Sequence, residues 1–172
     1  MHYGAIKDCD IANGPGVRVT LFVSGCTNRC EGCFQPETWD FEYGQVFDAA
    51  AEERVLSLLA KPYISGLTVL GGEPFELSNQ RALLPFLKKV REQFPHKSIW
   101  IFTGYTFEEL TLGTQRRCEA TDELLFLADV LVDGRFVLSE RDLTLRFRGS
   151  RNQRLLDLPA SLEKGLPVLW EG

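Results

Sequence analysis

Three cysteines stand close together in the stretch SGCTNRCEGCF. They are Cys26, Cys30 and Cys33, a C-x3-C-x2-C array in a chain with five cysteines and two histidines in all. Thiolates packed this closely on a loop can hold one metal centre, and three readings compete. A structural zinc ion closes its shell with four protein ligands, commonly in paired C-x2-C units or with histidine. Only one C-x2-C unit is present and His2 and His96 lie far off in sequence, so a fourth ligand would have to be Cys9 or Cys118. Inert buried cysteines fit poorly, because the segment is glycine-rich and polar, as a loop is. The third reading is an iron–sulfur cube gripped by three thiolates, with one iron left open for an exchangeable ligand. It needs no fourth protein ligand, and Gly25 and Gly32 would let the backbone turn tightly around the cluster. Cys9 and Cys118 then read as small hydrophobes.

The elements around the array alternate strand and helix. VRVTLFVS (17–24), GLTVLGG (66–72), SIWIFTG (98–104) and DVLVDG (129–134) are short β-branched or apolar runs that read as strands. DAAAEERVLSLLAK (48–61) and SNQRALLPFLKKVREQF (78–94) read as helices, the first burying Val55, Leu58 and Leu59, the second Leu83, Leu87, Val90 and Phe94. Pro85 should kink the second helix or mark where its main part begins. TFEEL and EATDELLFLA (119–128) open further helices; beyond Arg135 the pattern weakens, with LPVLW (166–170) a candidate final strand. This alternation predicts an α/β fold with βαβ units and a parallel sheet. The unusual residues all fall at carboxyl ends of strands: the cysteines after the first, Gly71-Gly72-Glu73-Pro74 after the second, Thr103-Gly104-Tyr105 after the third, Asp133-Gly134 after the fourth. Loops at that edge of a parallel sheet converge over one crevice, which is where such folds carry their sites. Tyr105 and Asp133 sit at the crevice edge, within reach of a bound cofactor, whereas Trp39, Trp100 and Trp170 read as packing residues.

The bulk properties narrow the class. With 172 residues the chain is expected to form a single domain over 1–172, burying roughly two-thirds of its unfolded surface. A net charge of -5 and a pI near 5.1 argue against binding to nucleic acid through charge alone. No apolar run is long enough to span a bilayer, and MHYGAIKDCD lacks the pattern of a signal peptide, so no membrane attachment is expected and a cytoplasmic location is. The odd, clustered cysteines suit a reducing compartment. Six acids and no base occupy 37–53, and six arginines occupy 135–154 against Glu140 and Asp142. Both segments read first as solvated faces; the basic one could instead dock a polyanion or an acidic protein.

C-x3-C-x2-C after a strand, with G-G-E-P after the next, resembles the radical S-adenosylmethionine enzymes. The resemblance implies a partial (incomplete) TIM-like parallel β/α barrel. It implies a [4Fe-4S] cluster on Cys26, Cys30 and Cys33, with S-adenosyl-L-methionine chelating the open iron. The loop Gly71, Gly72, Glu73 would receive the cofactor's amino group, and the adenine would meet Gly32, Cys33 and Phe34. One departure stands out: the residue before the third cysteine, often aromatic in that family, is Gly32. NGPGVRVTLFVSGC (13–26), WIFTGYTFEEL (100–110), DVLVDGRF (129–136) and RGSRNQR (148–154) further resemble the activating proteins of anaerobic, class III ribonucleoside-triphosphate reductases. For such a protein the resemblance implies reductive cleavage of S-adenosylmethionine to a 5′-deoxyadenosyl radical, which abstracts hydrogen from a glycine of the reductase. No catalytic side chain is then required beyond cluster and cofactor. The reductase would be the protein substrate, and a flavodoxin- or ferredoxin-like protein the electron donor. Rival readings are an activase of the pyruvate formate-lyase type, which ETWD (37–40) would also suit, a small-molecule radical enzyme such as a deazaguanine-forming synthase, and a non-catalytic iron–sulfur electron-transfer module.

Overall fold

The computed structural model describes all of residues 1–172. Seven strands form one sheet in the order β3-β1-β2-β4-β5-β6-β7. They are β1 (His2–Asp10), β2 (Val17–Val23), β3 (Gln45–Val46), β4 (Ile64–Gly71), β5 (Ser98–Phe102), β6 (Val130–Asp133) and β7 (Arg154–Asp157). The central four, β2, β4, β5 and β6, run parallel in chain order, while β1, β3 and β7 join antiparallel. The α/β expectation and its parallel centre therefore hold. Three strands were not foreseen. β1 buries only Tyr3, Ile6 and Asp10 and is broken by two register shifts, so its sequence shows no clean alternation. The final strand is β7, RLLD, and not LPVLW; the latter touches the sheet only through a lone bridge between Leu169 and Leu156.

Helices α1 (Ala49–Leu59), α2 (Leu77–Gln93), α3 (Phe107–Thr111), α4 (Thr121–Leu127) and α5 (Leu158–Lys164) follow. Asp48 caps α1 by accepting from the Ala51 N–H at 2.9 Å. Helix α2 is continuous through Pro85, which lies on its exposed side, where the carbonyl left without an N–H can face water. Because side chains alternate across a strand, the sheet has two distinct faces. Leu21, Val69, Ile101 and Leu131, aligned in register across the parallel strands, enter a core of 29 buried residues with Val55 and Leu59 of α1, Leu83 and Leu87 of α2, and Leu124 of α4. Phe22, Leu70, Phe102 and Val132, one from each parallel strand, point the other way and floor a cavity.

Arg18 stands on that second face and is fully buried without a carboxylate against it. Its guanidinium donates to Thr68 Oγ1 (2.8 Å), Ser98 Oγ (2.9 Å) and the carbonyls of Leu67 (2.8 Å) and Ser98 (3.0 Å), and rests over the Trp100 ring. Burial pulls its pKa down to about 10. One cation thus ties together β2, β4 and β5, neutral acceptors replacing water.

Candidate functional site

Beyond the carboxyl ends of the four parallel strands lies a cavity of about 490 Å3. Cys26, Cys30, Cys33 and Phe34 line it, as do Gly71, Gly72 and Glu73, then Thr103 and Gly104, and finally Gly134, so all four loops singled out in the sequence meet there. Gly32, Tyr105 and Asp133 do not line it. Tyr105 is buried with its ring between the Arg116 and Arg135 guanidiniums. Asp133 is fully buried: its carboxylate accepts from the Phe107 N–H (2.8 Å) and from Arg154 Nε (2.9 Å), and Arg154 also pairs with Glu108. That knot clips β7 and α3 to β6 and leaves neither group for a ligand. Cys9 is exposed on β1, and Cys118 packs beside Gln80; neither lines the cavity.

The cysteine loop is held from several sides. Gly25 and Gly32 take φ of +98° and +77°, the tight turns their sequence positions implied. The Gly25 N–H donates to the Thr38 carbonyl (2.8 Å), the Cys26 N–H to the Trp39 carbonyl (3.3 Å), and the Gly25 carbonyl accepts from the Glu73 N–H (2.8 Å). Backbone N–H groups of Asn28 and Arg29 point at the Cys26 sulfur, and that of Phe136 at Cys30. Burial nonetheless pushes the Cys26 thiol up to about 11, with the Glu73 and Glu76 carboxylates adding to the rise, and burial raises Cys30 as well. A thiolate in this loop therefore needs a cationic centre beside it.

Glu73 is the keystone of the loops. Its Oε1 accepts from the Phe75 N–H (2.8 Å) and the Thr103 hydroxyl (2.7 Å), and its Oε2 from the Gly104 N–H (2.7 Å) and Asn28 Nδ2 (3.0 Å). One carboxylate so joins the loops after β2, β4 and β5. Burial raises its pKa to about 7 against the pull of those donors. Glu76, one turn on, accepts from the Thr27 N–H (2.7 Å) and hydroxyl (2.6 Å) and pairs with Arg116.

The basic segment 135–154 is not a plain solvated face; it lies as a strap over the cysteine loop. Gln153 Oε1 accepts from the N–H groups of Gly149 (2.8 Å) and Ser150 (3.1 Å), and Asn152 Nδ2 donates to the Arg135 carbonyl (2.8 Å). Phe136 packs on Phe34 at 5.3 Å, and Arg141 stacks over the other ring at 5.3 Å. A Cβ on Gly32 would fall 2.8 Å from Leu138 Cδ1, so the strap lies close over the loop there, while the positive φ of Gly32 is what favours glycine. Phe34 keeps 62% of its surface exposed.

Sequence reasoning missed Asn28 and Trp39, both on the cavity wall; Arg148, one of the arginines of RFRGSRNQR that the sequence offered to a cofactor carboxylate, a partner or an electron donor, lines that wall too. Trp39 Nε1 and Arg148 Nε are two of the three buried side-chain nitrogens and oxygens without a hydrogen-bond partner in the protein. Each such orphan costs about 1–3 kcal/mol. Nothing in the spacing marks Arg148 out from its neighbours; Trp39 could have been suspected from lying six residues past Cys33.

A family model described as a 4Fe-4S single cluster domain matches residues 12–156. That description supports an iron–sulfur cluster as this chain's cofactor. Curated relatives match over nearly the whole chain. The chain is 43% identical over 155 residues to the anaerobic ribonucleoside-triphosphate reductase-activating protein of Pasteurella multocida, covering 89% of this chain and 95% of that protein. It is 40% identical over 157 residues to the protein of the same name from Enterobacteria phage T4, covering 90% and 93%. The chain belongs to the anaerobic ribonucleoside-triphosphate reductase-activating proteins. The Escherichia coli K12 member of this family is 39% identical over 155 residues, with 89% of this chain and 96% of that one covered. The matched span takes in all four cavity loops and the strap, and it stops within β7.

Proposed function

We propose that this chain activates an anaerobic ribonucleoside-triphosphate reductase as a radical S-adenosylmethionine enzyme. Residues 1–172 would act as one activase unit with the sheet as part of an open β/α barrel. Cys26, Cys30 and Cys33 hold the [4Fe-4S] cluster, and S-adenosylmethionine occupies the cavity beside it. The supporting observation is that these three cysteines, with no fourth near them, share one cavity wall with Gly71, Gly72 and Glu73. The cavity volume, about 490 Å3, lies within the roughly 300–1,000 Å3 typical of small-molecule sites.

When bound, cluster and cofactor supply the one-electron chemistry that ends in a glycyl radical on the reductase. The chain's own residues bind, orient and exclude water. Gly71 and Gly72 bring backbone close to the ligand, while Glu73, its oxygens already accepting four bonds, fixes that loop against those after β2 and β5. Cys33 and Phe34, which line the cavity while Gly32 does not, receive the adenine, with Phe136 and Arg141 packed against the Phe34 ring. The sheet is not closed on itself: β3 and β7 end it unpaired with one another, an opening through which a polypeptide loop could reach the cavity. An acidic flavodoxin- or ferredoxin-like donor would meet the arginines of the strap, and a cytoplasmic setting fits such a donor. No helix is long and apolar enough to cross a membrane.

The test is anaerobic reconstitution. About four irons per chain, lost in the alanine variants of Cys26, Cys30 or Cys33, together with reductant-dependent formation of 5′-deoxyadenosine, support the reading. A loaded cluster that never cleaves S-adenosylmethionine contradicts it and leaves the electron-transfer module.

A further inference from the structure

A second pocket, of about 470 Å3, lies between the strap, β7 and the last residues of the chain. It includes no residue of the cysteine loop or of Gly71–Glu73, and shares only Phe147, Arg148 and Gln153 with the cavity described above. Four arginines line it: Arg146, Arg148, Arg151 and Arg154. Arg154 is spent on Asp133 and Glu108, whereas the other three form no ion pair. Glu171, the one acid on the wall, pairs with none of them. Asp142 feels the charge of Arg151, yet its carboxylate accepts from the Thr144 N–H (2.9 Å) and hydroxyl (2.6 Å). In a chain with 24 acids against 19 bases, three neighbouring cations are thus left without a carboxylate. Like charges held together repel, and a bound anion relieves that repulsion.

The segment carrying these arginines is fixed before any ligand arrives. Buried Trp100 meets Phe147 at 5.5 Å and Trp170 at 4.9 Å, both edge to face, so the two rings of the pocket wall are anchored on the sheet. Arg146 stacks on Phe147 at 4.9 Å. The Arg151 N–H donates to the Glu140 carbonyl (2.9 Å), and Gln153 Oε1 holds the N–H groups of Gly149 and Ser150. A preorganised site loses less entropy on binding. Guanidinium forks match phosphate oxygens two at a time. A concave pocket of small-molecule size suits a chain of phosphates better than the broad face of an acidic protein.

We propose that this pocket binds a triphosphate chain, with Arg146 and Arg151 donating to its oxygens. Arg148, whose Nε is closed off from solvent, adds charge. A nucleoside triphosphate and an inorganic polyphosphate present that same chemistry. The inference stands apart from the function proposed above, since the cysteine loop and Gly71–Glu73 take no part in it.

The experiment is titration calorimetry on the cluster-loaded chain, anaerobic and at about 0.15 M salt, with tripolyphosphate, ATP and orthophosphate as separate probes. Tripolyphosphate should fill one saturable site, and orthophosphate should bind about tenfold or more weakly. Arg146→Gln and Arg151→Gln alter residues that line this pocket and not the other cavity. Each should weaken tripolyphosphate about ten- to a hundredfold at unchanged iron content. Arg54→Gln removes an exposed arginine of α1 that is equally unpaired, and should leave affinity within about twofold. ATP within about tenfold of tripolyphosphate, or tighter, assigns the pocket to nucleotides; a larger deficit assigns it to inorganic polyphosphate. Absence of saturable binding, orthophosphate as tight as tripolyphosphate, or an equal loss with Arg54→Gln overturns the proposal. Arg151 is exposed and in no ion pair, so its replacement should spare folding. An Arg151→Gln protein with wild-type affinity overturns the proposal by itself.

Discussion

Replacing Glu73 by glutamine sets two structural terms against each other, and pH separates them. The carboxylate accepts from the Phe75 and Gly104 N–H groups, the Thr103 hydroxyl and Asn28 Nδ2. A glutamine can keep an oxygen toward Gly104 and Asn28 and turn its NH2 to Thr103, whose hydroxyl can rotate to accept, but the Phe75 N–H is then stranded. One stranded buried donor costs about 1–3 kcal/mol. Against this, burial has moved the wild-type carboxyl from 4.5 to about 7. The folded state thus holds a proton that the unfolded chain releases, and Glu73's contribution to stability falls as pH rises from about 4.5 to 7. At 1.36 kcal/mol per pH unit the full loss is about 3 kcal/mol, of which about 2 falls between pH 5.5 and 8. Glutamine carries no such term. Wild type should therefore lead Glu73→Gln most clearly at pH 5.5, and the gap should shrink by about 2 kcal/mol by pH 8. Urea denaturation of both proteins, prepared alike under anaerobic reducing conditions, measures this. Parallel stability curves across that range would refute the argument.

Further outcomes follow from the same geometry. Gly72→Ala would place a Cβ 2.6 Å from the Gly25 carbonyl and 2.9 Å from that of Thr38, both backbone, so iron retention should fall along with cofactor affinity; a variant that keeps full iron would show the cysteine loop to be more compliant than the structure implies. Cys9→Ala should load as much iron as wild type, since Cys9 lies outside the cavity, whereas loss equal to that of Cys26→Ala would bring back a fourth thiolate. Arg18→Met would strand Thr68, Ser98 and the Leu67 carbonyl beneath the cavity, and thermal or urea unfolding should show a loss of about 2–4 kcal/mol. A smaller effect would mean that water reaches those acceptors.

Where the candidate site sits was legible because it depends on residue types at fixed spacing. The three cysteines, the glycine loop and the four parallel strands could be placed from β-branched runs ending in glycine, and all meet where such strands' carboxyl ends converge. What supports them depends on contacts between distant segments. β1 has few buried residues and two register shifts, and the four residues of β7 are too short to show a period. Asp133 sits at the crevice edge in sequence, yet it is spent on Arg154 and Phe107. Of the arginines between 135 and 154, Arg154 is tied to Asp133, Arg141 covers Phe34, and Arg148 reaches the cavity, a division that charge counting cannot make. Glu73 lines the cavity, and its oxygens also accept four bonds from three loops, which a motif alone does not reveal.

The most direct test of the central claim is an anaerobic electron paramagnetic resonance spectrum of the reduced, cluster-loaded chain mixed with S-adenosylmethionine and a class III ribonucleoside-triphosphate reductase. A glycyl-radical doublet that requires all three components, and that vanishes with Cys26→Ala, is the predicted result. A fully loaded chain that cleaves the cofactor yet leaves the reductase without a radical would contradict the assignment of this partner, and one that neither cleaves nor activates would contradict the account as a whole.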